Sequence, residues 1–359
     1  MPGSENPKPI SKYSELRQDI VSGDWVVIAT GRARRPNDFI VAAKAGKNKD
    51  DKDCPFEKLE DSALLIITRG NEHFADLWQA GAKAKDWFIE VIPNKFPAFT
   101  PRQLCPSVAV EGVYRQIGGV GFHEVIVMRP HDRSIALMSV EEVTLLVTAY
   151  RERFKTLKPE QCVQYVSVIH NHGPESGASI VHPHSQLIAI PVIPPDVFKS
   201  LAGSLRYFTE RQACVHCAMI EYEARTKLRV IFENEKFIAF APYASRAAFE
   251  IRIFPKSHRA DFENIPEEDL KPFAQALQRT LAVLYHGLKN PSYNFFIHTA
   301  PTDGGRYAHY HWHLEILPKT SIWGGFEFGT GIEISTIAPE DAAAFLRSVK
   351  LPPLRQREP

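Results

Sequence analysis

The strongest constraint on the fold is an internal repeat, because the two halves of the 359-residue sequence carry the same features in the same order. In the first half, an alternating apolar segment at 123–128 precedes His131, a helical pattern, a short apolar run and a His-x-His pair. In the second half, an alternating segment at 249–254 precedes His258 and the same succession. Several matched features in order indicate duplication. The sequence therefore predicts an α+β protein built from two similar units.

Turn and helix signals suggest where the units begin and end. Ser139 and Glu142 form a capping-box pattern that should begin the helix of the first half. Pro272 is awkward in the helical pattern of the second half unless it lies in the first turn, because proline lacks the N–H needed further along. The proline-containing residues 193–199 and the residues after them should link the halves. We predict a flexible N-terminus at 1–14, an N-terminal domain at 15–195 and a C-terminal domain at 205–359.

A His-Pro-His-Ser-Gln motif at 182–186 follows a loop of small residues. Alternate residues of a strand share a face, so a strand over 181–190 would align His182, His184 and Gln186. An imidazole can attack phosphorus and hold the phosphoryl group covalently. Gln186 can donate a hydrogen bond to a phosphoryl oxygen without adding charge. The motif and loop together favour phosphate chemistry over the alternative, a surface strand with chance histidines.

Two other stretches could support an anion. In the loop before the motif, Gly177 would let backbone N–H groups approach a phosphate, and Ser179 would add a hydroxyl. Near the N-terminus, three arginines lie within four residues, which fits either a solvated loop or bidentate clamps on a diphosphate. The sequence leaves both readings open for Arg32, Arg34 and Arg35.

Cysteine and histidine spacings predict two metal sites. Cys214 and Cys217 have zinc-knuckle spacing, with a redox motif as the rival reading. Two further ligands complete a second-half set of Cys214, Cys217, His258 and His311. The repeat gives an equivalent first-half set of Cys54, Glu57, His131 and His182. A carboxylate binds zinc more weakly than a thiolate, so we expect the second site to be filled more reliably. Zinc is the expected metal, with iron as the alternative; the other reading is that His131 and His258 only satisfy loop backbone.

The two His-x-His pairs are not equivalent. If the first histidine of each pair binds metal, His184 and His313 stay available for catalysis. His184 is followed two residues later by neutral Gln186, whereas His313 is followed by Glu315, whose charge would repel a phosphoryl group. His184 is therefore the predicted nucleophile, and His313 is expected to serve in metal binding or structure.

Composition excludes several classes of protein. The formal net charge of +1 gives no electrostatic argument for binding nucleic acid or a membrane surface. No apolar run reaches the roughly eighteen residues that a transmembrane helix needs, and the polar N-terminus is not a secretory signal. Five cysteines, an odd number, argue against a disulfide framework. We expect a cytoplasmic protein that binds neither nucleic acid nor membrane.

The motif at 182–186, behind Asn171 and Gly177-Ala178-Ser179, resembles the active-site motif of the galactose-1-phosphate uridylyltransferase family of the histidine-triad superfamily, which includes ADP-glucose phosphorylase-like members. The likeness covers nearly the whole chain. It implies an antiparallel half-barrel sheet made of duplicated histidine-triad-like units with flanking helices, a homodimer, and a nucleotidyl intermediate on His184 assisted by Gln186 and Ser179. The residues implied to bind substrate are Arg32, Arg35, Asn94, Asn171, Gly177 and Glu327.

The resemblance leaves the substrate open between two branches. It implies a nucleoside diphosphate hexose as donor, with hexose 1-phosphate or phosphate as second substrate. Phe326 and Lys95 stand where many uridylyltransferases carry tyrosine and aspartate, and residues 324–331 are closer to the phosphorylase-like branch. Our leading expectation is a UDP-glucose:galactose-1-phosphate uridylyltransferase. The alternatives are an ADP-sugar phosphorylase, a hydrolase, and a zinc-bearing nucleotide-binding module without turnover.

Overall fold

A computed structural model describes residues 14–32, 54–58, 63–68 and 87–353. The strands are β1 (Glu15–Gln18), β2 (Trp25–Ile28), β3 (Leu65–Thr68), β4 (Trp87–Pro93), β5 (Ala109–Glu111), β6 (Tyr114–Gln116), β7 (Phe122–Met128), β8 (Tyr165–His172), β9 (His184–Ile190), β10 (Val230–Glu233), β11 (Phe237–Phe240), β12 (Ile251–Pro255), β13 (Tyr293–His298), β14 (His313–Pro318) and β15 (Ile334–Ser335). The helices are α1 (Val140–Leu157), α2 (Pro195–Arg211), α3 (Val215–Thr226), α4 (Glu267–Leu288), α5 (Gly325–Thr330) and α6 (Pro339–Ser348).

Ten of these strands form one antiparallel sheet in the order β10-β11-β12-β14-β13-β8-β9-β7-β4-β3. Read outwards from the centre, the second half contributes β13, β14, β12, β11 and β10, and the first half contributes β8, β9, β7, β4 and β3 in the equivalent order. The halves join where β8 pairs with β13, with Asn171 opposite Asn294. This arrangement confirms the predicted α+β fold from duplicated units.

One long helix from each half covers the sheet. The apolar positions predicted from helical spacing, such as Leu146 in α1 and Leu277 in α4, are fully buried in one core cluster. The capping box is confirmed, because Ser139 Oγ accepts the Glu142 N–H at 3.1 Å and the Glu142 carboxylate accepts the Ser139 N–H at 2.8 Å. None of the helices in the described ranges is both long and apolar enough to cross a membrane.

The structure places two prolines inside helices. Pro272 is not in the first turn of α4, which begins at Glu267, and its carbonyl accepts a hydrogen bond from Asn234 Nδ2 at 2.9 Å. The expected linker at 193–199 includes the beginning of α2, because Pro195 occupies the first helical position, where a missing N–H costs nothing. The domain boundaries at 195 and 205 stay a prediction, and α2 runs across both.

The cysteines divide into a disulfide-bonded pair and three others. Cys105 and Cys162 form a disulfide with a Cα–Cα distance of 5.3 Å, which the odd number of cysteines did not lead us to expect. It ties the excursion between β4 and β7 to the turn between α1 and β8. The cysteines outside the disulfide are Cys54, Cys214 and Cys217, and all three lie in the predicted metal sites.

Gly203 lets α2 pack directly on the chain between β1 and β2. A Cβ at this position would lie 1.7 Å from the Val21 carbonyl oxygen, which no backbone adjustment of a few tenths of an ångström relieves. We expect Gly203→Ala to lower the free energy of unfolding by about 1–3 kcal/mol, measured by chemical denaturation. The control is Gly329→Ala, where a Cβ meets no atom within 4 Å. Equal unfolding midpoints for the two variants would contradict the packing argument.

Candidate active site and metal centres

Strand β9 has one face that packs on the core and an opposite face that carries His184 and Gln186. Ser185, Leu187 and Ala189 are buried on the core side. Ser185 Oγ is hydrogen bonded to Tyr150 OH of α1 at 2.6 Å and to His170 Nδ1 of β8 at 3.0 Å. The strand begins at His184 rather than at the expected 181, and alternation places His184 and Gln186 together on the opposite face. The core-side bonds therefore fix the strand that carries both predicted catalytic groups.

The His184 ring is fixed in one tautomer. Its Nδ1 donates to the carbonyl of His182 at 2.9 Å, so the lone pair lies on Nε2. Nε2 has no hydrogen-bond partner among the described residues. Burial lowers the pKa of His184, and the hydrogen bond to the His182 carbonyl opposes this shift only in part. Near neutral pH the ring is therefore an uncharged imidazole that can act as a nucleophile through Nε2.

Gln186 is held by a histidine that the sequence analysis did not single out. His123 Nε2 lies 2.7 Å from Gln186 Oε1 and 3.1 Å from Asn94 Nδ2. The β4–β7 pairing brings this group together, since the backbone N–H of Asn94 donates to the His123 carbonyl at 2.8 Å. Asn94 and Gln186, which were predicted to act on the same substrate, thus share one neighbour.

Asn171 lies on the same face as His184. The β8–β9 register ends with His170 opposite Ser185, and one further step places Asn171 opposite His184. Asn294 of the second half donates to Asn171 Oδ1 at 2.6 Å. The second half thereby orients a predicted substrate-binding residue of the first.

The remaining predicted catalytic and substrate-binding residues make only local contacts or lie outside the described residues. Gly177 has a left-handed backbone with φ of 85° and ends a short turn, whereas Ser179 is exposed on the loop before His182. Glu327 accepts the N–H of Gly324 at 2.9 Å at the start of α5. Arg32 ends a short 3-10 turn at Thr30–Arg32, and Arg35 lies outside the described residues.

The first predicted metal set comes together around His182. Its Nδ1 lies 3.6 Å from Cys54 Sγ, 3.2 Å from His131 Nδ1 and 3.3 Å from Glu57 Oε1. Its Nε2 donates to the Met128 carbonyl at 2.7 Å, so Nδ1 carries a lone pair directed at the other three groups. Ligand atoms of a tetrahedral zinc site lie roughly 3.3–3.8 Å apart, which these spacings approach.

The second set repeats this geometry. Cys217 Sγ lies 3.3 Å from His258 Nδ1 and 3.5 Å from His311 Nδ1, and Cys214 belongs to the same cluster. His258 and His311 donate Nε2–H to backbone carbonyls at 2.9 and 3.0 Å, which directs both Nδ1 atoms inwards. A hydrogen bond from Cys217 lowers the pKa of the Cys214 thiol. Both clusters could hold a metal ion. The second-half cluster contains all four predicted ligands, whereas the first-half cluster contains Cys54, His131 and His182, with the Glu57 carboxylate beside the two histidines.

Comparison with known proteins then decides the family. The family model described as "Galactose-1-phosphate uridyl transferase, N-terminal domain" matches residues 6–194, and a domain of unknown function matches residues 121–356. ADP-glucose phosphorylase from Arabidopsis thaliana is 34% identical over 97% of both chains. The chain belongs to the galactose-1-phosphate uridylyltransferase family. The predicted family and nucleotidyltransferase class are thereby confirmed.

Two further family comparisons agree. Galactose-1-phosphate uridylyltransferase from Thermotoga maritima is 24% identical over 94% of this chain and 99% of its own. A crystal structure of the Arabidopsis thaliana ADP-glucose phosphorylase with bound ADP-glucose superposes with a TM-score of 0.75 and 32% identity, covering 94% of this chain and 100% of the other. Both branches anticipated from the sequence therefore occur among the relatives.

In this uridylyltransferase-family chain, the second-half counterpart of the candidate active site contains ion pairs around His313. His313 Nδ1 lies 3.2 Å from the His311 carbonyl, as His184 does with His182, but its Nε2 is 3.4 Å from Glu315. Burial alone would raise the pKa of Glu315, yet Arg252 and Arg246 hold it well below its usual value. Arg252 also pairs with Asp19 at 3.1 Å. A permanent buried carboxylate beside His313 fits the expectation that this histidine is not a nucleophile.

Sequence reasoning missed four residues that contact the candidate active-site strand or belong to it: His123, Tyr150, His170 and Ser185. His123 had a usable signal, because it lies in the alternating segment at 123–128 and points to one face of a predicted strand. Tyr150, His170 and Ser185 face the core, and their mainly apolar sequence neighbours give no sign of a polar cluster. The contacts that these four residues make could not be assigned without the strand register.

Proposed function

We propose that this protein transfers a nucleotidyl group from a nucleoside diphosphate hexose through a covalent intermediate on His184. The observation that carries the proposal is the His184 ring, neutral, anchored through Nδ1 to the His182 carbonyl at 2.9 Å and with Nε2 unbonded, next to the amide of Gln186 on the same strand face.

The reaction divides into two displacements at the α-phosphorus. Nε2 of His184 forms a bond to phosphorus, and the bond to the oxygen of hexose 1-phosphate breaks, so that this oxygen leaves with the electron pair. The adduct places positive charge on the ring, which the Nδ1–H bond to the His182 carbonyl stabilises. An oxygen of the second substrate then attacks phosphorus and releases His184. Hydrogen bonds from Gln186 and from the loop before His182 would stabilise the developing charge.

We propose an ADP-hexose as donor and inorganic phosphate as acceptor. The 34% identity with a plant ADP-glucose phosphorylase over 97% of both chains supports this choice, as do Phe326 and Lys95 at positions where many uridylyltransferases differ. Uridylyl transfer to galactose 1-phosphate, our leading expectation from sequence, becomes the second candidate because relatives of that name such as those from Thermotoga maritima and Schizosaccharomyces pombe are 24% and 28% identical.

Two zinc ions and a second copy of the chain complete the proposal. Zinc bound to the two clusters would hold His182 and His311 in place, and the ion at His182 would anchor the strand that presents His184. A homodimer is supported by the exposed apolar side chains around Glu327: Ile322 is 98% exposed and Phe328 75%. Binding of the nucleotide sugar by Arg32, Arg35, Asn94, Asn171, Gly177 and Glu327 also belongs to this proposal, as does a cytoplasmic location.

The deciding experiment uses ADP-glucose and UDP-glucose labelled at the α-phosphorus. We expect ADP-glucose to label the protein and added phosphate to release the label as ADP, with glucose 1-phosphate as the other product. Release from UDP-glucose by galactose 1-phosphate would instead establish the uridylyltransferase. Release as nucleoside monophosphate by water alone would identify a hydrolase. Nucleotide binding without any labelling would overturn the proposed mechanism in favour of a binding module.

A further inference from the structure

Strand register places His123 diagonally across from Gln186. In the β7–β9 pair, Val125 lies opposite Gln186 and His123 opposite Ile188. Directly opposed residues share a face, and diagonal neighbours lie within reach of long side chains. His123, Gln186 and His184 therefore lie on one face of the sheet, and the 2.7 Å contact between His123 Nε2 and Gln186 Oε1 follows from this register.

The hydrogen bonds of His123 determine which ring nitrogen carries the proton. The backbone N–H of Ala98 points at Nδ1 over 3.1 Å, and a backbone N–H can only donate. Nδ1 must therefore carry the lone pair, which leaves the proton of the neutral ring on Nε2. Nε2–H then donates to Gln186 Oε1. The Asn94 amide is oriented by the Phe96 N–H, which donates to Asn94 Oδ1 at 2.8 Å. Its amino group lies 3.1 Å from His123 Nε2 and cannot donate to that nitrogen once Nε2 carries the proton.

This arrangement fixes the orientation of the Gln186 amide. With Oε1 occupied by His123, the amino end of the amide is the part left to face the transferring phosphoryl group. The reversed amide would place its oxygen against phosphoryl oxygens and a donor against Nε2–H, and both contacts are repulsive. The Ala98 bond holds the ring itself, because it comes from the chain that follows β4 and not from β7 or β9.

We propose that His123 is a positioning residue for the transfer reaction, which orients Gln186 so that its amino group stabilises charge on the phosphoryl oxygens. This inference rests on the function proposed above. His123 itself need not touch substrate, and its whole effect is expected to pass through Gln186.

Two substitutions at His123 separate the two ring nitrogens. Asparagine places an acceptor near the position of Nδ1, which keeps the Ala98 bond, but it has no atom at the position of Nε2. Glutamine extends further and can place an amide N–H near the position of Nε2. We expect His123→Asn to lower the single-turnover rate of His184 labelling about 10²-fold with little change in donor binding, and His123→Gln to recover most of that loss.

A double-mutant cycle shows whether the effect passes through Gln186. In a Gln186→Ala background, His123→Asn should cause no further loss of rate. Equal losses in both backgrounds would overturn the proposal, as would equal losses for His123→Asn and His123→Gln with matching drops in melting temperature.

The ring proton can be observed without substrate. Nitrogen-15 NMR of histidine-labelled full-length protein should show His123 as the Nε2–H tautomer. An Nδ1–H tautomer would overturn the orientation argument whether or not labelling occurs. Absence of labelling in the wild-type protein, with the Nε2–H tautomer present, would count against the proposed function and not against the orientation of Gln186.

Discussion

Replacing His184 with asparagine should abolish covalent labelling of the protein by a nucleoside diphosphate hexose, while the equivalent replacement of His313 leaves labelling intact. Asparagine carries an amino group near the position of Nδ1, so both variants can keep the bond to the preceding carbonyl that the native rings make at 2.9 and 3.2 Å. What is lost in each case is Nε2. Only at His184 is that atom the proposed nucleophile.

The expected size of the effect is large because no other group can replace the attacking atom. Loss of a covalent nucleophile commonly costs on the order of 10⁴-fold or more in turnover. Initial rates with saturating donor and acceptor would measure the loss, and acid precipitation of labelled protein would detect the adduct. His313→Asn should stay within about tenfold of the wild-type rate, since it disturbs packing and not the chemistry.

Measurements of thermal unfolding would confirm that both variants are folded. Labelling of His184→Asn at the wild-type level would eliminate the proposed intermediate. Loss of labelling in a folded His313→Asn variant would show that the second half takes part in the chemistry, against our assignment of roles.

Removing a thiolate from the second metal site should have the second large effect. Cys217→Ser should reduce bound zinc from two ions to one and lower the free energy of unfolding by roughly 3 kcal/mol or more, because structural zinc binding contributes about 10–16 kcal/mol in small zinc domains. The cluster joins α3, the segment after β12 and the segment before β14, so its loss affects three parts of the second half.

The matched variant in the first site is Glu57→Gln, which keeps an oxygen ligand but removes its charge. It should release the first-half ion at a lower chelator concentration than the wild type does, with the second-half ion retained. Metal analysis of dialysed protein and denaturant unfolding would measure both effects. A Cys217→Ser variant that still holds two ions with unchanged stability would rule out a structural metal at this cluster.

The features that sequence could predict are those encoded by local spacing. The helices followed from apolar residues such as Leu146 and from the Ser139 capping box, and both metal sets followed from the Cys-x-x-Cys spacing transferred through the repeat. The prediction of His184 rather than His313 as the nucleophile, which stays a prediction, also uses a residue only two positions away. Each of these signals depends on side chains that are close in sequence or related by duplication.

What escaped prediction depends on contacts between distant segments. The His123–Gln186 pair requires the register of β7 against β9, and the ion pairs around Glu315 involve Asp19 from the start of the chain through Arg252. The Cys105–Cys162 disulfide needs a loop to return to a turn beyond α1. At 193–199 the local signal was present but misread, because prolines that favour a linker also favour the first turn of a helix.

Because β8 pairs with β13, each half of the chain would have an unpaired strand edge if it were separated from the other. Strands β8 and β13 lie at the centre of the whole sheet, but each is the edge strand of its own half. Separation would leave their backbone N–H and C=O groups unpaired and open to association with another chain. The severed first half would also lose Asn294, and with it the clamp on Asn171 beside the reactive histidine. The proposed chemistry of the first half therefore depends on the second half, which pairs with β8 and holds Asn171.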